Sequence, residues 1–165
     1  MRRTSFAQWP CSVARTLEVL GDWWTPLVLR EAFYGIARFD DFQQGLGIAR
    51  NTLADRLRRL VEEGLLEKHA YQTDPVRYDY LLTERGRDFF GVLAAMSRWG
   101  DRWLADEAGP PITFHHDRCG RDSHAEVVCA ECREPLRSAE TSMRLGPGYP
   151  PKVAARPDVQ RRFAR

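Results

Sequence analysis

The fold of this chain is decided by the stretch Gly47-Ile48-Ala49-Arg50-Asn51-Thr52-Leu53-Ala54-Asp55-Arg56-Leu57-Arg58-Arg59-Leu60. Leu53, Leu57 and Leu60 recur at i, i+4 and i+7, so they share one face of a helix that follows a glycine turn. The other face is basic, because residues 50–59 hold four arginines and one acid. Such a helix fits a groove of DNA. The alternative is a surface helix whose charged face is only solvated.

Three helical patterns precede this stretch. The first carries an apolar stripe that stops at Gly21. The second is predicted to begin with Thr25 as its N-cap and Pro26 at its first helical position, and to end at Gly35. A short third helix is predicted to begin at Asp40-Asp41 and to lead into the glycine turn.

A hairpin and a long helix follow. Residues 65–71 and 77–82 alternate as strands do, and residues 72–76 have turn chemistry. Thr83 is predicted to cap one long, unusually aromatic helix that reaches Trp103. An exposed aromatic helix is a liability, so we expect it to pack against a second copy of itself. The sequence therefore predicts a mainly α-helical fold with a small β-hairpin wing, which is the plan of a winged helix-turn-helix.

In this order of elements the chain resembles the HxlR-type bacterial transcription regulators. The resemblance covers roughly residues 11–100 and rests on these stretches: Cys11 to Leu17, Gly21-Asp22-Trp23-Trp24-Thr25, Leu29-Arg30-Glu31, Arg38-Phe39-Asp40-Asp41-Phe42, Leu53 to Leu60, Glu63-Gly64-Leu65, Arg77 to Thr83 and Trp99-Gly100. It implies a homodimer that binds double-stranded DNA through the recognition helix and the wing and regulates nearby genes. Two positions depart from the family pattern, which has proline at Ser12 and serine at Ala49.

Residues at the first turn of a recognition helix reach base edges, and later ones reach the backbone. We therefore expect base contacts from Arg50, Asn51, Thr52 and Asp55. Arginine can bind guanine with two hydrogen bonds, and asparagine can bind adenine in the same way. For Asp55 the alternatives are accepting from a cytosine amino group or orienting Arg58 or Arg59, and the second is favoured.

Four further arginines are predicted to approach the DNA backbone. Arg56, Arg58 and Arg59 are phosphate candidates on the helix. Arg77, beside the wing turn, is expected to reach the adjacent minor groove or its phosphates. Its alternative role is an ion pair with Asp74 or Asp79.

Composition limits the remaining choices. A net charge of only +2 means that nucleic-acid affinity must come from local patches. The sequence contains no apolar run of membrane-spanning length and no secretory signal, so we expect a cytoplasmic protein without disulfides. The regular helical and strand patterns of the sequence end at Gly109-Pro110-Pro111. This predicts a DNA-binding and dimerisation domain over residues 1–108, and a Cys/His-rich extension with a basic tail over residues 109–165.

That extension holds two metal-ligand pairs. His116-x-x-Cys119-Gly120 and Cys129-x-x-Cys132 each resemble half of a zinc ribbon, and tetrahedral zinc takes four such N/S ligands. His115 or His124 could replace His116. The departure is Arg133, where glycine is usual. The alternatives are a structural zinc and a degenerate ribbon without metal, and no other cofactor is indicated.

Cys11 is a redox candidate. It precedes a predicted helix, and backbone N–H groups at a helix start favour a thiolate. The resemblance to the HxlR-type regulators adds that some members of that family sense oxidants through a cysteine near this position. A buried structural thiol is the favoured alternative.

The sequence also leaves room for functions other than transcription regulation. A ligand or redox sensor is compatible with one, because an aromatic pocket could take a small-molecule effector; the alternative use of the same rings is a plain core. The rings in question are Trp23, Trp24, Trp99, Trp103 and Phe114. A winged helix used only for protein interaction is a further alternative. The sequence shows no nucleophile motif, no phosphate loop and no convincing acid/base pair, so an enzyme is not predicted.

Overall fold

The computed structural model of the protein describes residues 5–164. They form two compact units. One unit comprises residues 19–125, and the other combines the described residues up to Glu18 with those from Glu126 onward. Neither boundary coincides with the predicted division between residues 108 and 109.

The elements of the first 108 residues follow the expected order. Four helices are followed by an antiparallel hairpin and two further helices: α1 Ser12–Leu20, α2 Trp24–Phe33, α3 Phe39–Leu46, α4 Arg50–Glu62, β1 Leu66–Thr73, β2 Val76–Leu82, α5 Glu84–Asp88 and α6 Phe90–Trp103. The strands are longer than predicted, so that only Asp74 and Pro75 lie between them. A mainly helical fold with a small hairpin wing is therefore confirmed.

The core of the 19–125 unit is built around α4. Leu53, Leu57 and Leu60 are completely buried, together with Val28 and Leu29 of α2. Gly47 ends α3 with a positive φ of 60° and donates its N–H to Gln43 O. A residue without Cβ adopts this conformation readily. The predicted amphipathic helix and its glycine turn are thus confirmed.

The start of α2 differs from the prediction. Thr25 does not cap this helix but lies inside its first turn, fully buried. Asp22 caps it instead, because its Oδ1 accepts the N–H groups of Trp24 and Thr25 at 2.9 and 3.2 Å. Aspartate satisfies free N–H groups at a helix start at least as well as threonine does.

The predicted single long helix is wrong, since the chain forms α5 and α6 with a break at Phe89. Thr83 does cap the first of them, with Oγ1 accepting the N–H of Gly86 at 3.0 Å. The break lets Phe89 pack against the core while Phe90 turns to Phe33, with ring centroids 5.2 Å apart. Two adjacent aromatic rings thus face two different neighbours.

The remaining elements are short. Strands β3 Phe114–His116 and β4 Arg121–Ser123 pair antiparallel in the 19–125 unit. The other unit holds one 3₁₀ turn, Ser138–Glu140, and the helices α7 Pro151–Ala154 and α8 Pro157–Arg162. Among residues 5–164, no helix has the length and apolarity needed to cross a membrane.

Gly86 is the position at which the fold tolerates no side chain. A Cβ there would stand 2.0 Å from Leu65 O, which is a backbone atom. We expect Gly86→Ala to lower the free energy of unfolding by about 3 kcal/mol, because overpacking forces the backbone to shift. Urea unfolding of the whole protein measures this.

Gly91 provides the matched control. It lies in α6, and a Cβ there would meet nothing within 4 Å. Gly91→Ala should raise stability by about 0.5–1 kcal/mol, because alanine is the better helix former. Equal effects of the two substitutions would contradict the close approach of Gly86 to Leu65.

Candidate nucleic-acid interface

The solvent face of α4 carries the predicted base-reading residues. Burial of its three leucines turns Arg50, Asn51 and Asp55 outward, and all three are exposed. Thr52 is half-buried. Ala49 provides no side-chain hydrogen bond to the helix start, so the first N–H groups of α4 are not capped by a side chain. Free N–H groups at a helix start are a favourable place for a phosphate oxygen.

A cleft of about 490 Å³ lies between the start of α3, the start of α4 and the wing. Three arginines line it, Arg38, Arg50 and Arg77. Two acids, Asp40 and Asp41, line it as well, together with the exposed wing tyrosines Tyr71 and Tyr78. The cleft therefore combines positive charge, hydrogen-bond donors and aromatic surface beside the recognition helix.

Arg50 is held loosely at this cleft. Its guanidinium lies 4.7 Å from the centroid of the Phe39 ring, and its Nη1 is 3.5 Å from Asp40 Oδ1. Both side chains of this ion pair are about 70% exposed, at 69% and 72%. Exposed pairs contribute about 0–1 kcal/mol, so a DNA acceptor can replace Asp40 at little cost.

Arg38 is a residue that sequence analysis did not select. Its Nε lies 3.6 Å from Asp79 Oδ1, and its guanidinium stacks 4.6 Å from the centroid of the Tyr71 ring. The ion-pair partner of Asp79 is therefore Arg38 and not Arg77. Arg77 is exposed on β2, opposite Gln72. Arg38 could have been selected from the sequence. It directly precedes α3, and the hairpin that follows α4 supplies an aromatic residue and an acid as its partners.

The base of the wing is fixed to the helices. The Tyr80 N–H donates to the carbonyl oxygen of Ala37 at 2.8 Å, and Ala37 is the residue that precedes Arg38 in the chain. Burial raises the pKa of the Tyr80 phenol, and the neighbouring Tyr78 adds to that rise. The Tyr80 hydrogen bond and the Arg38–Asp79 ion pair thus connect the wing to the segment before α3.

Asp55 and Arg58 form the orienting pair that the sequence favoured. Arg58 Nη2 donates to Asp55 Oδ1 at 2.6 Å, and both side chains remain more than half exposed. Asp55 is one turn away from Arg58 on the same helix, so the pair holds the guanidinium along the outer face of α4.

Two of the predicted phosphate contacts have partners within the protein. Arg56 forms an ion pair with Asp22 in which both side chains are mostly buried. Arg59 donates its Nε to Val19 O at 3.1 Å and is half-buried. Arg59 therefore fastens α4 to the end of α1, and Arg56 fastens it to the residue that caps α2. These bonds compete with phosphate contact. Asp22 thus serves two purposes, since it also caps α2.

Cys11 is exposed, which makes the predicted buried structural thiol wrong. It directly precedes α1, and its carbonyl accepts the N–H of Arg15 at 3.0 Å. The thiol thus lies at a helix start and is accessible to solvent.

The two Cys/His pairs have the same local backbone. Gly120 has a φ of 65° and donates to His116 O at 2.8 Å, while Arg133 has a φ of 64° and donates to Cys129 O at 2.9 Å. Arg133 is the sole non-glycine residue with positive φ in the described chain, at the position where glycine is usual. Each pair is therefore folded as a tight knuckle.

Ligand chemistry differs between the knuckles. His116 Nδ1 is 3.2 Å from Cys119 Sγ. In the second knuckle, hydrogen bonds from the backbone N–H groups of Cys132 and Glu131, and then from the Cys132 thiol, lower the pKa of Cys129. His115 pairs with Asp122 at 2.8 Å. Over residues 5–164 no three His, Cys, Asp or Glu side chains form a group that could hold a metal ion.

Three of the four tryptophans in the predicted aromatic set lie outside the core. Trp23, Trp99 and Trp103 are 80%, 60% and 63% exposed. Trp24 packs against the core, and Phe114 lies beside Phe90 with ring centroids 5.7 Å apart. The predicted core use of these rings therefore fails for three of the five. Trp99 and Trp103 continue an exposed apolar stripe on α6 that also includes Val92 and Met96.

Comparison with known proteins agrees with this geometry. A family model described as HxlR-like helix-turn-helix matches residues 19–108. A relative described as the uncharacterized HTH-type transcriptional regulator Rv3095 of Mycobacterium tuberculosis is 43% identical over 144 residues, which cover 87% of this chain and 91% of that protein.

Two solved structures are similar as well. PA1607, a candidate transcription factor, has a TM-score of 0.75 and 34% identity, and the match covers 86% of this chain and 99% of that one. The redox regulator HypR in its reduced form has a TM-score of 0.52 and 29% identity, covering 56% of this chain and 92% of that one.

Arg50 gives the sharpest test of the interface. We expect Arg50→Gln to weaken binding to DNA from upstream of the protein's own gene by about 1–3 kcal/mol, because a bidentate base contact is lost. Fluorescence anisotropy at several salt concentrations measures this. The control is Arg118→Gln, which makes the same charge change at an exposed position away from the cleft. Equal affinities of the two variants would exclude Arg50 from the interface.

Proposed function

Because this chain belongs to the HxlR-like helix-turn-helix family, we propose that it binds duplex DNA as a homodimer through α4 and the wing. The chain is a DNA-binding transcriptional regulator, as its HTH-type relatives are. The observation that carries the residue-level proposal is the leucine-backed α4, whose polar face borders the arginine-lined cleft. No catalytic step is needed for this function.

The proposed contacts follow from exposure and bonding. Arg50 and Asn51 are placed to reach base edges, with Thr52 beside them. Arg58, oriented by Asp55, is the phosphate contact on the helix. Arg77 and Arg38 would contact the backbone from the wing side, because both line the cleft.

The second copy would pack against α6. Val92, Met96, Trp99 and Trp103 recur at i, i+4, i+7 and i+11, so they form one stripe, and each is more than 40% exposed. A stripe of large apolar side chains on a protein surface favours burial against a partner. A twofold-symmetric dimer would present two recognition helices to two half-sites.

Breaking that stripe tests the dimer. We expect Trp99→Asp to convert dimers into monomers at micromolar concentration, because the substitution places a charge in an apolar interface. Sedimentation velocity measures the oligomeric state. Val76→Asp is the control, since Val76 is an exposed apolar residue on the wing, at 55% exposure. A wild-type protein that sediments as a monomer would rule the dimer out.

Cys11 supports a second role as a redox sensor. Its thiol is exposed at a helix start, and HypR, to which the chain is similar, is described as a redox regulator. An exposed thiol is accessible to oxidants, which convert it first to a sulfenic acid. Reactivity of Cys11 remains a prediction.

A structural zinc is proposed for the Cys/His segment. The ligand set is His116, Cys119, Cys129 and Cys132, as the spacing predicts. Support comes from each pair by itself, since both fold as knuckles and Cys129 is biased toward the thiolate that zinc requires. Arg133 adopts the conformation that glycine usually supplies, so its presence does not prevent the knuckle.

Metal analysis of untagged protein tests this proposal. We expect about one zinc per chain, held by the two pairs. Cys129→Ser should lose the metal, and the control Cys11→Ser should keep it. Protein purified without zinc, or the same zinc content in Cys129→Ser, would contradict the proposal.

A further inference from the structure

The 19–125 unit contains a second cavity, of about 280 Å³, that the DNA interface does not use. It lies between α2, α6 and residues 111–114. We propose that this cavity binds a planar aromatic cation as an effector. The effector part rests on the proposed DNA-binding function, whereas the binding part does not.

The walls of the cavity suit a flat apolar ring. Phe33, Phe90 and Phe114 form a row of edge-to-face contacts, with ring centroids 5.2 and 5.7 Å apart and planes at 61° and 60°. Leu93 and Ile112 add aliphatic surface. Phe90 and Ile112 are 45% and 51% exposed, so a ligand would remove apolar area from water.

The size of the cavity limits the ligand. Small-molecule sites commonly measure about 300–1,000 Å³, and the 280 Å³ of this cavity lies just below that range. A bicyclic aromatic system fits this volume better than a larger drug-sized molecule does.

The charges around the cavity favour a cation. Its charged lining residues are Arg30 and Asp101. Arg30 is already neutralised, because its Nε donates to Glu31 Oε1 at 3.1 Å, and its guanidinium lies 5.7 Å from the centroid of the Tyr34 ring. Within residues 5–164 no hydrogen bond or ion pair joins the Asp101 carboxylate to another side chain. The charge left uncompensated is therefore negative.

Two arginines of α6, Arg98 and Arg102, are close to Asp101 in sequence. Arg102 directly follows Asp101, but its guanidinium lies 5.0 Å from the centroid of the Trp103 ring, and it does not line the cavity. Arg98 is the other competing cation. It precedes Asp101 by three residues on α6, but it lines a neighbouring cavity that Asp101 borders as well. Among the described side chains these two do not form an ion pair. An ammonium group placed at Asp101 would also be close to aromatic faces, which attract cations.

A ligand bound in the cavity would influence the proposed DNA interface through α2. Val28 and Leu29 of α2 are fully buried against Leu53 and Leu57 of α4, while the other side of α2 lines the cavity. A ligand between α2 and α6 would thus contact the helix that supports the recognition helix. An effect on DNA affinity requires that the ligand bind the DNA-competent and incompetent states differently.

Three probes with the same ring system test the inference. Isothermal titration calorimetry of the full chain compares the cation 2-(aminomethyl)naphthalene with neutral 2-methylnaphthalene and anionic 2-naphthoate. We expect the cation to bind about tenfold more tightly than the other two, as an uncompensated carboxylate would produce. Equal affinities, tighter binding of the acid, or no binding of any probe would overturn the proposal.

Two variants localise the effect. Asp101→Asn should weaken binding of the cation about tenfold, to the level of the neutral probe. Glu107→Gln removes the same charge from an exposed residue outside the cavity and should bind the cation as the wild type does. Unchanged binding by Asp101→Asn would overturn the assignment of Asp101.

DNA titrations separate this inference from the proposed function. Binding to DNA without ligand tests the function alone. With the cation at saturation, the affinity for that DNA should change by at least about fivefold, which is the lower end of ordinary coupling between sites. Unchanged affinity would overturn the effector part, even where the cation binds.

Discussion

Burial of one leucine stripe governs the rest of this molecule. Leu53, Leu57 and Leu60 are each fully buried, and burying a leucine side chain contributes about 1.5–3 kcal/mol. Turning α4 about its axis would expose all three, so the helix has one favourable orientation. That orientation alone decides which polar residues face solvent. The ion pair from Arg56 to Asp22 and the hydrogen bond from Arg59 to Val19 hold the same orientation from the flanks.

The wing depends on the same core. Leu65 and Leu66 enter the cluster that buries α4, so the first strand starts from a fixed point. The second strand returns past Ala37, where the Tyr80 N–H is bonded, and ends at Thr83, whose hydroxyl donates to Gly64 O at 2.7 Å. The cleft between α3, α4 and the wing is therefore formed before any ligand arrives. A preformed interface avoids the ordering cost that a disordered arm would incur on binding.

Periodic patterns in the sequence predicted the helix α4 and the hairpin. Contacts between residues far apart in the chain could not be predicted in this way. The 3.6-residue repeat located α4, and alternation located the hairpin. Thr25 resembled an N-cap because Pro26 follows it, but Asp22 lies three residues earlier and accepts two N–H groups. Arg56 and Arg59 resembled phosphate contacts because their partners, Asp22 and Val19, are far away in the chain; the second pair is 40 residues apart. Apolar composition likewise could not say that Trp99 and Trp103 lie outside the monomer core, since that depends on a surface formed after folding.

The two acids in the cleft give a physical reason for selectivity. A chain with a net charge of +2 has little general attraction for DNA, and Asp40 and Asp41 reduce it further in the cleft that we propose as the interface. Any DNA acceptor that binds Arg50 displaces Asp40 at the small cost of an exposed ion pair, and a phosphate offers only a single, screened interaction in return. A guanine that accepts two hydrogen bonds from the same guanidinium compensates for that loss, and a mismatched base does not. The acids therefore lower the general affinity for DNA, and discrimination between sites depends on whether the base presented to Arg50 can accept both hydrogen bonds.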